Sequence, residues 1–449
     1  MGRHRLVNKI GRFCTPELKK HRLVNKNRGF LFTRPGTRGQ EEQRGHQTKV
    51  VGRQYAAGLL CNNGFLGNFR IEKTIVIVKA LKYLVALAIV TVGCKEQNAL
   101  QYYQTPNPYE IVSVQEPPQA NEVKNVIIMI GDGMGLEQVS CAWVLNHGKL
   151  NLDNFPVIGL SRTYATNELI TDSGAGGTAW AIGQKTAYSC VGVAADSTEV
   201  PSILVKARQL GKKTGVAVTC HFADATPCDF CCHNEYRYNQ DDLIADYAEC
   251  GVDYLSGGGL DWFTVNRKDG RDITKEMAAK GYNVALTEDE LMAAELPVIG
   301  LLAPDNLPVA QERGDLFRHT VAHALELLSQ NPNGFVMMIE GSCIDDWLHG
   351  NNIEKAMEEL LDFDRTIGDV LEWAAKDGHT LVVVTADHNT GALTLQDGNL
   401  EEGTIGVAFG NDSHNGITVP VYAWGPGSAA FTGIKENGEW GQILASFVK

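Results

Sequence analysis

One hydroxyl, Ser173, stands in the stretch TDSGAGGTAWAIG, behind the acid Asp172 and beside Gly174, Ala175, Gly176 and Gly177. Such small neighbours suit either close backbone packing or the approach of a bulky anion, and the second use is expected here because a hydroxyl stands beside them. If Ser173 opens a helix, with Thr171 or Asp172 near its N-cap, unpaired N–H groups and the helix dipole favour an anion at the hydroxyl. Other chemistry-bearing residues follow short apolar runs. NVIIMI (125–130) leads to Gly131-Asp132-Gly133, and GVAVT (215–219) leads to Asp224 and Thr226. FVMMI (335–339) leads to Glu340, Asp345 and His349, and LVVVT (381–385) to Asp387 and His388. A last run, VPVYAW (419–424), is preceded by His414.

Carboxylates gathered at one place repel each other and raise their own pKa values. Divalent cations relieve that repulsion. A mixed Asp/His set suits zinc, and carboxylate with a threonine hydroxyl suits magnesium. Asp345 and His349 are four apart and share a face if helical. His319 and His323 have the same spacing, but no strand end lies nearby, and they read as ordinary residues of an amphipathic helix. GDGMG lacks the GxGxxG spacing, and an acid between its glycines would repel a pyrophosphate, so Asp132 reads as a metal ligand. SGGG at 256–259 reads as a turn. The chain has no GxSxG, so a metal rather than a histidine base is expected to activate Ser173.

These residues need a frame. From about residue 121 short Val/Ile-rich runs alternate with helix-like stretches, which predicts an α/β fold with a largely parallel sheet. In such sheets ligands collect beyond the carboxyl ends of the strands, where four of the runs deliver their acids, hydroxyl and imidazoles.

Composition divides the 449 residues. Residues 1–93 hold 18 Lys+Arg against 4 Asp+Glu, a balance of +14, and the remainder holds 22 against 49, a balance of −27. The acidic body argues against general affinity for nucleic acid, and no nucleic-acid-binding module is evident. Residues 1–73 read as a basic N-terminal extension outside the mature protein, with HRLVNK repeated at 4–9 and 21–26. Residues 74–94 read as a signal peptide whose end resembles a bacterial lipobox, with Cys94 as the lipidated residue. Residues 95–119 then form a polar tether, and residues 120–449 the catalytic domain. This predicts an exported, periplasmic or cell-envelope lipoprotein. Eight cysteines follow Cys94, an even number that permits disulfides without assigning them, and CDFCC at 228–232 reads as thiols or a disulfide rather than a metal knuckle.

NVIIMIGDGMG, TDSGAGGTAWAIG, ADATP, HNEYR, IEGSCIDDWLH and TADHNTG occur in the order seen in the alkaline phosphatase family, which residues 120–449 resemble. The resemblance implies a three-layer α/β/α sandwich with a central, largely parallel sheet. It further implies hydrolysis of phosphate monoesters through a phosphoserine at Ser173, with two Zn2+ and one Mg2+. By that likeness Asp132, Asp387 and His388 hold one zinc on which Ser173 sits, Asp345, His349 and His414 hold the second, and Thr226 and Glu340 complete the magnesium site with Asp132. Arg237 falls where the family clamps phosphate, its planar fork matching two oxygens. The second zinc would stabilise the leaving alkoxide and then supply the hydrolytic water. Homodimers are implied too. Behind the ligands stand Asp172, Asp224 and Asp346; where familiar bacterial members carry Asp and Lys, this chain has Asp224 and Asp346, and stronger dependence on divalent ions with slower phosphate release is expected. The stretch 391–413 matches nothing distinctive. A diesterase, a specialised phosphotransferase, or an inactive envelope lipoprotein that only binds phosphate or metal are the competing readings.

Overall fold

The computed structural model describes residues 99–449. The extension, the signal segment and Cys94 lie outside the described residues. Ten strands build the central sheet. Across it they run Gly433–Glu436 (β15), Val157–Arg162 (β3), Val419–Trp424 (β14), Thr380–Thr385 (β9), Asn125–Gly131 (β2), Phe335–Gly341 (β8), Lys213–His221 (β4), Tyr254–Gly258 (β5), Val298–Leu301 (β7) and Asn283–Ala285 (β6). Every pairing is parallel except the two made by β14, which runs against β3 and β9. β2, β8 and β9 are buried along their whole length, as continuous Val/Ile/Met runs covered on both faces must be.

Alternation along β2 separates two cores. Ile127 and Met129 face a cluster with Phe317, Leu360 and Leu371 from helices Leu316–Leu328 and Ile353–Asp377. Ile128 and Ile130 face the other, with Trp180 and Trp440 from helices Ser173–Ile182 and Asn437–Ser446. The expected three-layer α/β/α sandwich is therefore present. The long helix Ile353–Asp377 opens on Asn352, whose side chain accepts from the Lys355 amide, and closes on Gly378 at φ 73°.

A second sheet joins Gln101–Gln104 (β1) to Thr404–Phe409 (β12) and then Leu393–Asn399 (β11). It contains most of the featureless stretch 391–413. A two-residue ladder between Asn389–Thr390 (β10) and His414–Asn415 (β13) sets His414 opposite Thr390.

Two sequence expectations are corrected. Residues 99–119 are not a free tether: besides β1, Tyr103 and Thr105 donate to Glu358 at 2.6 Å each, and Tyr109 donates to Asp364. Aromatic and β-branched residues within the polar stretch bury against the long helix, an outcome hidden by average composition. Ser256 to Gly258 lie in β5, paired with β4 and β7, rather than in a turn, and glycine is needed at 258 because a Cβ there would stand 1.9 Å from the Asp305 carbonyl oxygen. The eight described cysteines are all free. Several satisfy themselves as donors to backbone, such as Cys232 to Leu243 O at 3.2 Å. As read from sequence, His319 and His323 stay away from chemistry: one pairs with Glu288 at 2.7 Å and the other packs on Tyr254.

Candidate active site

The helix Ser173–Ile182 begins with Asp172 as N-cap, whose Oδ1 accepts from the Ala175 amide at 3.2 Å. The same oxygen accepts from Ser189 N at 3.0 Å, and Oδ2 accepts from Arg237 Nη1 at 3.2 Å. Ser173 thus sits at a fixed, electropositive helix start. The glycines behind it serve packing. A Cβ on Gly174 would stand 2.8 Å from Cys190 O, one on Gly176 2.9 Å from Asp387 O, and one on Gly177 2.2 Å from Asp229 Oδ2. Close backbone approach, the plainer of the two readings of this stretch, explains those three residues. Asp229, which sequence reasoning passed over, accepts from Thr178 Oγ1 at 2.7 Å and so ties this helix to Ala225–Cys231.

β2, β8 and β9 point their carboxyl ends at the same place. Asp132 follows β2, Glu340 lies near the end of β8, Asp387 and His388 follow β9, and the helix Cys343–His349 carries Asp345 and His349 on one face. Thr226, in the helix after β4, joins them from the next strand. The sheet edge therefore brings Asp132, Ser173, Asp345, Asp387, His388 and His414 together, and Asp132, Ser173, Asp345 and His414 line one cavity.

Hydrogen-bond chemistry within this group is incomplete. His388 Nε2 faces Asp387 Oδ2 at 3.0 Å, Ser173 Oγ at 3.2 Å and Asp132 Oδ1 at 3.4 Å. One ring proton serves only one of them. His349 Nδ1 lies 2.7 Å from Asp412 O and His414 Nδ1 lies 2.9 Å from Thr171 O. Carbonyls only accept, so both rings carry their proton on Nδ1 and, when neutral, turn bare Nε2 lone pairs at each other across 3.0 Å, beside Asp345 Oδ2. A cation between them removes the conflict, and the carbonyl-bound Nδ1 atoms are the support that metal-ligating histidines use. The buried Asp132 Oδ1, Asp345 Oδ1, Asp387 Oδ2 and Thr226 Oγ1 have no hydrogen-bond partner. All four belong to the residues expected to hold metal, and the donor set fits Zn2+ and Mg2+. Donor atoms of Asp132, Asp387 and His388 lie within 4.8 Å of one another, as do those of Asp345, His388 and His414. His388 thus stands between two candidate cation positions.

The electrostatics agree. Burial, then Asp387, Asp345 and Glu340, push the Asp132 carboxyl well above the usual range. Burial and Asp224 raise Glu340 likewise. Asp345 resists burial because His349 and His414 bond it and hold it well below the usual value. The Asp345 hydrogen bond lifts His349 to about 9. Burial followed by Asp224 and Asp345 pushes Asp346 up to about 7.

Arg237 lines the cavity with two carboxylates on its fork, Asp172 and, at 2.8 Å, Asp224. Asp346 accepts from Asn306 Nδ2 at 2.9 Å. Thr390, two residues past His388, meets that ring's Nδ1 at 3.2 Å. Neither Asn306 nor the carbonyls of Thr171 and Asp412 carry a sequence signal, since backbone and distant amides gain their roles only on folding.

A family model described as alkaline phosphatase matches residues 123–408. Alkaline phosphatase 4 of Bacillus subtilis is 37% identical over 293 residues, 61% of this chain and 63% of that protein, so the chain spans a little under two thirds of that relative's length. Streptomycin-6-phosphate phosphatase of Streptomyces griseus is 31% identical over 397 residues, 70% of this chain and 88% of that one. Among solved structures, the alkaline phosphatase of the Antarctic bacterium TAB5 superposes with a TM-score of 0.69 at 36% identity, covering 73% of this chain and 98% of that one. A variant of it with magnesium bound in the M3 site superposes with a TM-score of 0.68. With a family model matching more than half of its length and a relative 31% identical that it covers to 88%, the chain belongs to the alkaline phosphatase family.

Proposed function

We propose that the protein hydrolyses phosphate monoesters to alcohol and inorganic phosphate through a phosphoserine at Ser173. One observation carries the reading: Ser173, at a helix start, lines a cavity with Arg237, Asp132 and Asp345, and buried oxygens of Asp132, Asp345 and Asp387 have no hydrogen-bond partner. Asp132, Asp387 and His388 would hold one Zn2+, Asp345, His349 and His414 the other, and Asp132, Thr226 and Glu340 the Mg2+. Bound there, these cations supply Lewis acidity that lowers the pKa of the serine hydroxyl and of the attacking water and offsets charge on the leaving oxygen. The magnesium in the M3 site of the TAB5 variant supports the third position.

The chain's own residues do the rest. Asp172 caps the helix and aims Ser173 for in-line attack on phosphorus, while Arg237, positioned by Asp172 and Asp224, binds two non-bridging oxygens. The leaving alcohol departs opposite Ser173, and water then attacks the phosphoserine from the side it vacated. Two in-line displacements retain configuration at phosphorus. Export, acylation at Cys94 and assembly of two copies complete the proposal; among the described residues no helix is long and apolar enough to cross a membrane.

The test is hydrolysis of p-nitrophenyl phosphate beside bis-p-nitrophenyl phosphate, with zinc and magnesium supplied. Monoester turnover that stops with EDTA and in Ser173→Ala is expected. Preference for the diester would transfer the protein to the diesterases, and no turnover by folded, metal-loaded protein would leave a binding protein.

A further inference from the structure

The floor of the cavity is ionic, and aromatic and aliphatic side chains stand at its mouth beside Glu168. Ile170, Tyr188 and Tyr238 line a space of about 590 Å³ above Ser173, and they remain 36%, 45% and 62% exposed. Large apolar side chains left wet beside a polar site mark a surface awaiting a ligand.

The two rings are built in. Tyr188 N donates to Asn167 Oδ1 at 2.7 Å. The next residue, Ser189, holds a φ of 70°, an uncommon conformation for a residue with a Cβ, and two contacts explain it. Its amide donates to Asp172, and its carbonyl accepts from Arg237 N at 2.8 Å. Tyr188 and Tyr238 are therefore the immediate chain neighbours of Ser189 and Arg237, two residues bonded to each other, and both line the cavity. Tyr236 braces Tyr238 edge-to-face, centroids 5.2 Å apart, and the Arg237 guanidinium lies 5.7 Å from the Tyr238 ring centre. Across the mouth Ile170 Cδ1 sits 3.1 Å from where a Cβ on Gly416 would be, so that glycine leaves the isoleucine its place. The charged group added at this rim, Glu168, is an acid.

We propose that Tyr188, Tyr238 and Ile170 form a leaving-group subsite that favours phosphate monoesters whose alcohol carries a flat, uncharged ring, such as nucleoside monophosphates. The inference rests on the phosphatase reading above. Flat rings stack on tyrosine faces, and Glu168 repels leaving groups that bring further negative charge.

Adenosine 5′-monophosphate and ribose 5-phosphate share a primary alkoxide leaving group and differ in the base, so their kcat/KM ratio reads the ring alone. For the metal-loaded protein the nucleotide is expected to be favoured by about tenfold, the order that one base–aromatic stack supplies. In the double variant Tyr188→Ala/Tyr238→Ala the ratio should fall toward one, and in Tyr188→Phe/Tyr238→Phe, which keeps both rings, it should persist. A ratio near one in the parent overturns the subsite. So does a ratio that survives the alanine variant, or a parallel loss on both esters, which would make the tyrosines structural. No turnover of either ester by the parent overturns the phosphatase reading and the subsite with it.

Discussion

Among the described residues, two places bury several carboxylates and neutralise them differently. Within the scaffold, Arg313 sits between Glu359 and Asp362, with Nη2 2.7 Å and 2.6 Å from their oxygens and all three side chains at most 4% exposed. The guanidinium also donates to Pro308 O at 3.1 Å. At the sheet edge, Asp132, Glu340, Asp345 and Asp387 are also buried, yet the arginine that reaches the cavity, Arg237, is bound to Asp172 and Asp224. Buried charge left uncompensated costs several kcal/mol, and a permanent arginine is the scaffold's remedy. The edge instead keeps donor atoms without partners, which suits cations that must meet substrate oxygens as well as protein ones.

Replacing Ser173 by Ala should cost on the order of 10³- to 10⁶-fold in kcat with zinc and magnesium present, as loss of a covalent nucleophile does, while leaving cation affinity measurable by calorimetry. Undiminished turnover would show that the edge works without its serine.

Arg313→Ala should destabilise the fold by about 3–5 kcal/mol, because Glu359 and Asp362 would keep buried charges without a partner. Urea unfolding monitored by tryptophan fluorescence measures it. A change under about 1 kcal/mol would mean that the two clusters are not the contrast drawn above.

Removing metal should also lower stability, by about 2.7 kcal/mol for each site that had been filled at a hundred times its Kd. The melting temperature should fall with EDTA and return with zinc and magnesium, and an EDTA-indifferent melt would contradict the edge's need for cations.

For the metal-free protein, the Asp345 hydrogen bond raises His349 from 6.5 to about 9. The folded state therefore holds its proton more tightly than the unfolded state does. The stabilisation is fully present below about pH 6.5 and fades as pH rises through about 9. Zinc requires the neutral ring, so its apparent affinity should climb across the same window. NMR titration of the imidazole in EDTA-treated protein gives the pKa, and an ordinary value would remove the effect.

The smallest effect concerns Asp346, whose carboxyl lies among Asp224, Asp345 and Asn306. An Asp346→Lys variant should respond less steeply to added magnesium, and an identical activation curve would dissociate this residue from the third cation position.

Much of this was legible in the chain, and the failures have particular causes. The apolar runs before Asp132, Glu340 and Asp387 announced buried parallel strands, since only strands covered on both faces tolerate unbroken Val/Ile/Met. Their acids then had to lie at one sheet edge. The glycines after Ser173 suggest room for a bulky anion, whereas Cys190 O, Asp387 O and Asp229 occupy the space their missing side chains leave. Residues 99–119 read as a tether because isolated Tyr103, Thr105 and Tyr109 show no period, and their partners Glu358 and Asp364 lie some 250 residues away.

By itself the sequence determined the kinds of group that meet, the strands that carry them and the helix that opens on Ser173, for these follow from side-chain chemistry and local periodicity. Tertiary structure decided which atoms face one another: that His349 and His414 oppose their Nε2 atoms, that Arg237 is bound by Asp172 and Asp224, and that two tyrosines frame the cavity. Those are contacts between residues far apart in the chain. Their geometry is set by the packing of whole layers, which no local pattern records.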